Sequence, residues 1–398
     1  MSLMKNYDTI IVGCGAAGLM AAAQLLRRKK SVLILDMGDK PARKVAISGG
    51  GNCNFTNSKA DFSHYFGKNP RFVMSALSQF SPYDTLNWAK AHNIKYIEKE
   101  PGRYFCCDGA KDVLSALLSD LKNTLIKYNT NVIDIEKEND FFTIKTTNGD
   151  FYSQSVIVAT GGISYPHLLV SSTGQTIAKK FGHKIEPVRP ALCAIKTKAF
   201  DSTLAGISLK AEIIVDKHKI VDDLLFTHFG IGGPAAYRAT LINPKEMIIN
   251  FAPNKNVFEL LKSTKQTNGK KSVANVVAEI LPNKLAHFFC NDTRNIADLK
   301  DGELKQIATK INHFGITDGL AIGFASAEVM MGGVSVDKIS SKTMESKICP
   351  GLFFAGEVMD ITGDLGGFNI QWAFSSGFVA GKNAGYPPHP ASIPHYNS

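Results

Sequence analysis

Tyr7-Asp8-Thr9-Ile10-Ile11-Val12-Gly13-Cys14-Gly15-Ala16-Ala17-Gly18 is the stretch that decides the fold. Its first six residues form a short apolar run rich in β-branched side chains, which reads as a strand buried in a parallel sheet. A Gly-x-Gly-x-x-Gly turn follows at once. Leu19 to Lys30 is rich in Ala and Leu and reads as a helix. It ends in Arg27-Arg28-Lys29-Lys30, cations that suit the negative end of a helix dipole. Ser31-Val32-Leu33-Ile34-Leu35-Asp36 reads as a second buried strand ending in a carboxylate.

Each residue type in this unit has a chemical reason. Gly13 permits the tight turn. Gly15 lets a pyrophosphate approach the backbone with no Cβ in the way. Gly18 lets the helix pack close to the strand. The pyrophosphate would then rest on N–H groups at the helix N-terminus. Asp36 lies at a strand end, where it can accept hydrogen bonds from ribose hydroxyls. A lone glycine fingerprint is weak evidence, but here a strand precedes it, a helix follows it and an acid closes the next strand. The acid disfavours a 2′-phosphate, so the sequence points to FAD or NAD over NADP.

Composition bounds the alternatives. The chain has 398 residues, 44% hydrophobic and 20% charged, which is ordinary globular composition and argues against disorder or a coiled coil. Lys+Arg 45 against Asp+Glu 35 gives a net charge of +10, spread along the chain rather than gathered in a basic arm. Nucleic acid is therefore not the expected partner, and anionic cofactors or substrates suit the field as well. Seven cysteines are present with no Cys-x-x-Cys spacing, so reduced thiols in a cytoplasmic protein are expected, with no metal. Met1-Ser2-Leu3-Met4 reads as a cloning remnant, and no membrane span is expected.

Three further segments choose between FAD and NAD. Ala42-Arg43-Lys44-Val45-Ala46-Ile47-Ser48-Gly49-Gly50-Gly51-Asn52-Cys53-Asn54 is a polar, glycine-rich loop just after the acid. Val156-Ile157-Val158-Ala159-Thr160-Gly161-Gly162 is a strand running into Ala-Thr-Gly. Gly351-Leu352-Phe353-Phe354-Ala355-Gly356-Glu357 is another strand ending in Gly-acid. That order resembles flavoproteins with the glutathione-reductase type of FAD domain. Phe226-Thr227-His228-Phe229-Gly230, Gly233-Pro234, Lys342 to Lys347 and the run from Gly356 to Gly377 sharpen the likeness. Together these segments resemble one bacterial flavoprotein family, the YhiN-type, BaiN-like family with aminoacetone oxidase-like members. The likeness spans nearly the whole chain and is weakest around residues 255–315.

The resemblance implies an α/β fold: a three-layer FAD domain with a Rossmann-like parallel sheet, carrying an inserted β-rich domain and a helical subdomain. The domain would run over residues 4–188 and resume at 328–385. The β-rich insertion would occupy 189–254, the helical subdomain 255–316, a return segment 317–327 and a loose tail 386–398. FAD, held noncovalently, would contact Gly13, Gly15, Ala16, Ala17, Gly18 and Asp36. The loop would add Lys44, Ser48, Gly50, Asn52, Cys53 and Asn54. Val132 would reach adenine through its backbone. Ala159, Thr160, Gly161, Gly356 and Glu357 would line the nucleotide. A late helix beginning near Gly366 would present Gly367, Phe368, Asn369 and Ile370 to the flavin ring, its dipole favouring a reduced flavin.

Departures from the family pattern are Asn52 for the usual arginine, Ala42 for glycine, an altered 168–173 stretch, Cys106-Cys107 for Phe-Pro, and Met330 near a usual threonine. The implied activity is an FAD-dependent oxidoreductase that moves hydride between a small or medium organic substrate and flavin N5. Oxygen or NAD(P) would exchange the electrons, with NAD(P)H a transient donor, because no second complete fingerprint is present. A tRNA-modifying flavoprotein and a non-catalytic flavin-bound regulator are the alternatives. No residue is assigned as the catalytic group. His228, Asn369 and Gln371 are weak candidates, and Cys53 has no resolving cysteine nearby in sequence. Phe72–Asn93 and Asp112–Tyr128 read as helices.

Overall fold

The computed structural model describes residues 6–121 and 124–386. Met1 to Met4, the expected cloning remnant, and residues 387–398 of the tail lie outside the described residues. The opening unit forms as its residues dictate: β1 (Asn6–Val12), α1 (Ala16–Arg27) and β2 (Val32–Leu35). β1 lies between β2 and the strand Gly149–Val158, parallel to both. Leu125–Lys127 extends the parallel sheet beyond β2, and Leu352–Phe354 extends it on the other side. Gly149–Val158 changes character along its length. Its fully buried upper half, Val156–Val158, pairs with Leu352–Phe354. Its lower half pairs antiparallel with Phe141–Thr146, which pairs in turn with Val132–Glu138. The fold is therefore α/β with a Rossmann-like parallel sheet.

Ten of the twelve residues of α1 are buried, which explains its alanines. The C-terminal helix, Phe368–Asn383, packs along it. Two glycines permit that approach. A Cβ built at Gly377 would fall 2.3 Å from the Ala17 carbonyl oxygen, and one at Gly381 2.2 Å from that of Ala21. The basic end of α1 has a different role from the expected one. The helix stops at Arg27, and Arg28 donates to the carbonyls of Gly381, Lys382 and Ala384 at 2.8–2.9 Å. It thus satisfies the orphan carbonyls of the other helix's C-terminus, not its own.

Two predicted helices are corrected. The Phe72–Asn93 stretch is two helices, Val73–Gln79 and Pro82–Ala91. The break falls where Pro82 removes an N–H donor and Ser81 with Asp84 forms a capping box. Asp112–Tyr128 yields the helix Ala110–Ser119 and then the strand Leu125–Lys127, because the parallel sheet recruits the second part.

The chain divides into two compact units, residues 1–189 with 329–398, and residues 190–328. The second unit contains a seven-stranded antiparallel sheet. Its central hairpin is Ser208–Val215 with His218–Thr227, and Phe314–Ile316 and Leu320–Ala321 form its edges. Four helices between Val257 and Asn312 accompany it. Its core gathers Phe200, Phe226, Phe251, Phe289 and Phe314 into one set of ring contacts. Among the described residues no helix is long and apolar enough to cross a membrane.

The helix crossing yields a stability test. Gly381→Val should destabilise the protein by roughly 1–3 kcal/mol, because the neighbour is backbone that cannot swing aside. Gly302 lies in the helix Asp301–Asn312 with nothing within 4 Å of a built Cβ. Gly302→Ala should therefore be neutral or stabilising. Thermal unfolding of the two variants checks this, and an unchanged midpoint for Gly381→Val would disprove the close crossing.

Candidate functional site

The site begins where the parallel strands end. The Gly13 N–H donates to the Leu35 carbonyl at 2.8 Å, Ala159 N–H to Val12 at 2.8 Å, and Ala355 N–H to Val158 at 3.0 Å. Neighbouring strand tips are thereby stitched together. Gly13 has φ +111°, and a Cβ there would fall 2.3 Å from the Ala159 carbonyl oxygen. A Cβ at Gly18 would fall 2.1 Å from the Gly13 oxygen. The fold itself forbids side chains at both positions.

Gly15 is different. Its backbone is extended (φ −84°, ψ −177°), a conformation open to any residue, and a Cβ built there meets nothing within 4 Å. Neither strain nor packing explains this glycine. It caps α1, whose first-turn N–H groups, on Ala16, Ala17 and Gly18, have no intrahelical acceptors.

Asp36 is buried and receives the Cys14 and Gly38 N–H groups, each at 2.7 Å. Burial and this carboxylate push the Cys14 thiol up to about 12, so it is inert. Arg43, which the sequence reading passed over, pairs with Asp36 at 3.1 Å and also donates to the Leu169 carbonyl. Its other terminal nitrogen, Nη1, is buried with no partner. Asp36 and Gly38 carbonyls accept the N–H groups of Thr130 and Asn129, which brings the chain leading to Val132 beside the acid. The Ala42 N–H donates to Cys14 O at 2.8 Å, tying the glycine-rich loop onto the fingerprint.

Within that loop Ser48 Oγ donates to Val45 O, and Gly49, Gly50 and Gly51 are all left-handed. Asn52 is exposed and Cys53 fully buried. The Asn54 amide is oriented to donate to the carbonyls of Tyr104 and Thr56. Glu357 gathers three other segments: it accepts from Lys44 Nζ at 2.6 Å, Met330 N at 2.8 Å and Gly162 N at 3.3 Å. Beside them Thr160 Oγ1 is buried without a partner, next to Ala159 and left-handed Gly161. Gly356 donates to Ser376 Oγ of the C-terminal helix.

That helix starts one residue after left-handed Gly366 and Gly367. Phe368 is buried and stacks on His64 at 4.6 Å, and half-buried Ile370 packs on the same core. Asn369 is committed to structure. It accepts from Gly363 N and donates to Gly363 O, clamping the loop before the helix. Gln371, a weak catalytic candidate on sequence, cannot serve as a catalytic group. It is fully buried, accepts from Thr56 and Thr85, and donates to Phe80 O and Ser375 Oγ. Every hydrogen-bonding position of its amide is used inside the core. His228, in the second unit, sits exposed in the two-residue turn between strands His218–Thr227 and Gly230–Gly232.

The donor set of the first unit fits FAD. A bare helix N-terminus with an unexplained glycine suits a pyrophosphate, and a buried acid at the second strand's end suits ribose. The orphaned Arg43 Nη1 and Thr160 Oγ1 are polar atoms whose partners the chain does not supply. The chain matches a family model described as the HI0933-like protein Rossmann domain over residues 7–383. It is 38% identical over 393 residues to the ribosomal RNA dihydrouridine synthase of Haemophilus influenzae, covering 94% of this chain and 98% of that one. It is 32% identical over 397 residues to the Escherichia coli ribosomal RNA dihydrouridine synthase, covering 96% and 98%. It is 28% identical over 408 residues to the 3-dehydro-bile acid delta(4,6)-reductase of Clostridium scindens, covering 95% and 99%.

The glycines separate ligand from fold experimentally. Gly15→Val should keep the native unfolding temperature of the flavin-free protein and lose FAD retention, read as visible absorbance after desalting. Gly18→Val should unfold at lower temperature, by the equivalent of ~1–3 kcal/mol, because its side chain meets backbone. Full flavin loading in Gly15→Val would mean that the pyrophosphate lies elsewhere.

Proposed function

The chain belongs to this HI0933-like Rossmann-domain family and is an FAD-dependent oxidoreductase; we propose that it reduces a carbon–carbon double bond conjugated to a carbonyl, and that its substrate is a uridine in ribosomal RNA. The observation that carries this reading is the likeness, over nearly the full length of both chains, to two ribosomal RNA dihydrouridine synthases.

The third relative narrows the chemistry. Dihydrouridine forms by adding two hydrogens across the uracil C5=C6 bond, which is conjugated to C4=O. A delta(4,6)-reductase of a 3-dehydro bile acid acts on double bonds conjugated to the 3-keto group. Both names thus describe hydride addition to a carbon activated by a remote carbonyl, with a proton added at the neighbouring carbon. In this reading the substrate is the acceptor, the reductase direction of the two that the sequence left open. RNA, placed behind small molecules on the sequence alone, moves ahead because the RNA-acting relatives are 38% and 32% identical against 28% for the steroid-acting one. A charge of +10 suits a polyanion.

When bound, FAD supplies the hydride. The chain's residues would hold and orient it. The Gly13–Gly18 turn and the first turn of α1 would take the pyrophosphate. Asp36, with Arg43 beside it, would take the adenosine ribose. Glu357, held by Lys44, fixes the segments around Thr160 and Gly161 that would border the cofactor's middle. A nicotinamide donor would dock transiently, since only one fingerprint is present.

The test uses the FAD-loaded protein with NADH or NADPH and transcribed ribosomal RNA under anaerobic conditions, followed by mass spectrometry of the digested nucleosides. The expected product is dihydrouridine, two hydrogens heavier than uridine. Its yield should fall steeply between about 50 and 200 mM salt, as phosphate contacts weaken. Reoxidation of reduced flavin by a 3-keto-4-ene steroid with no dihydrouridine would overturn RNA as substrate and keep the bond class. No reoxidation by either would overturn both.

A further inference from the structure

We propose that Cys53 and Cys106 form a redox-active dithiol that closes to an intramolecular disulfide when a peroxide reaches it. The two are 53 positions apart in sequence, and the fold brings them face to face. Strand Asn54–Asn57 pairs antiparallel with Arg103–Cys106, with Asn54 opposite Phe105. Cys53 immediately precedes the first strand and lies against the end of the second: the Cys106 N–H donates to the carbonyls of Asn52 at 3.0 Å and Cys53 at 3.3 Å. A disulfide spans Cα atoms ~4.4–6.8 Å apart, a range compatible with two residues joined by a backbone hydrogen bond.

The thiols already interact. The neighbouring Cys106 thiol, helped by Ser48, holds the Cys53 thiol below its ordinary range despite burial. Cys53 and burial in turn push the Cys106 thiol up. Placed on the glycine-rich turn, Cys53 takes the role of nucleophile in this proposal and Cys106 that of the resolving thiol.

The backbone points the same way. Cys53 has φ +45°, a left-handed conformation that a side chain normally avoids. It follows Gly49, Gly50 and Gly51, all left-handed, yet is not itself glycine. The strain is kept at a position where the side chain meets a second thiol. Both sulfurs are buried, whereas the adjacent Cys107 is exposed. Oxidation therefore proceeds through opening of the 48–53 turn.

The steps balance. The Cys53 thiolate attacks one oxygen of the hydroperoxide, the O–O bond breaks and the leaving alkoxide or hydroxide takes up a proton, giving Cys53 sulfenic acid. The Cys106 sulfur then attacks that sulfur, forming the S–S bond, and the sulfenic oxygen leaves with the two remaining protons as water. Overall two thiols lose two electrons and two protons, and the peroxide is reduced to water and an alcohol, or to two waters from hydrogen peroxide. A thiol reductant reverses it.

The test is a peptide map of the full-length protein treated with stoichiometric hydrogen peroxide, then denatured and alkylated without reductant. The expected result is one linked peptide pair carrying Cys53 and Cys106, lighter by two hydrogens than the sum of its parts and separated by reduction. Cys14, Cys193, Cys290 and Cys349 should alkylate as before. Cys107→Ser should leave the link intact, and Cys106→Ser should leave Cys53 as sulfenic or sulfinic acid. Alkylation of Cys53 and Cys106 unchanged by peroxide would overturn the proposal, as would a link joining Cys107 to either of them. The wild-type map decides without any variant that has to fold.

Discussion

The site depends on backbones meeting at Gly13 with no side chain between them. The turn after β1 lies against Ala159 on one side, and the start of α1 lies against the turn on the other, each at a distance where a Cβ would overlap a carbonyl oxygen. With those contacts made, the position of the helix N-terminus relative to three strand tips has no freedom left. Asp36 then receives the Cys14 N–H, and the Cys14 carbonyl receives the loop that begins at Ala42. The site is thus assembled outward from one crowded point, and the crowding explains why two glycines of the fingerprint serve the fold before they serve any ligand. The middle one, Gly15, has no such duty, which makes it the clearest mark of a bound group.

Much of this was legible in the sequence because it is encoded locally. β1, α1 and β2 announce themselves by apolar runs and glycine spacing, and the terminal helix by its Gly366-Gly367 start. The break at Ser81-Pro82 carries a local start signal, serine, proline and an acid at the third helical position, that the single-helix reading of Phe72–Asn93 passed over. What could not be read depends on long-range pairing. Leu125–Lys127 is a strand only because β2 offers it an edge. Arg28 reads as part of a cationic helix end, whereas its acceptors lie more than 350 residues away. Gln371 read as a candidate catalytic group, whereas Thr56, Thr85, Phe80 and Ser375 close around it. Cys53 has no cysteine near it in sequence, and Cys106 comes against it only through the pairing of two distant strands.

Charge illustrates a different limit. A polyanion is attracted by the sum of many cations, each contributing through released counterions, and no particular spacing is needed. Many of the chain's cations are also engaged in ion pairs, such as Lys180 with Asp134 and Arg294 with Asp292 and Glu303. A net +10 spread over 398 residues therefore carries no signature that separates an RNA-acting enzyme from one with a small anionic substrate. Composition does not carry that distinction.

The two kinds of relative share a bond type and differ in everything around it. Reducing a conjugated double bond demands a hydride source, a rigid approach and a proton, and the same flavin-holding scaffold can supply the first two to a steroid or a pyrimidine. For a base within folded RNA there is an added requirement. The base must leave its stack before a flavin ring can face it, which opposes binding by a few kcal/mol. The compensating attraction has to come from phosphates away from the reacting base, and it is indifferent to sequence. For an RNA-acting enzyme, a distributed positive field and a compact cofactor site would consequently be separable parts: the first would supply affinity and make it salt-dependent, and the second would supply chemistry that does not depend on how the base was delivered.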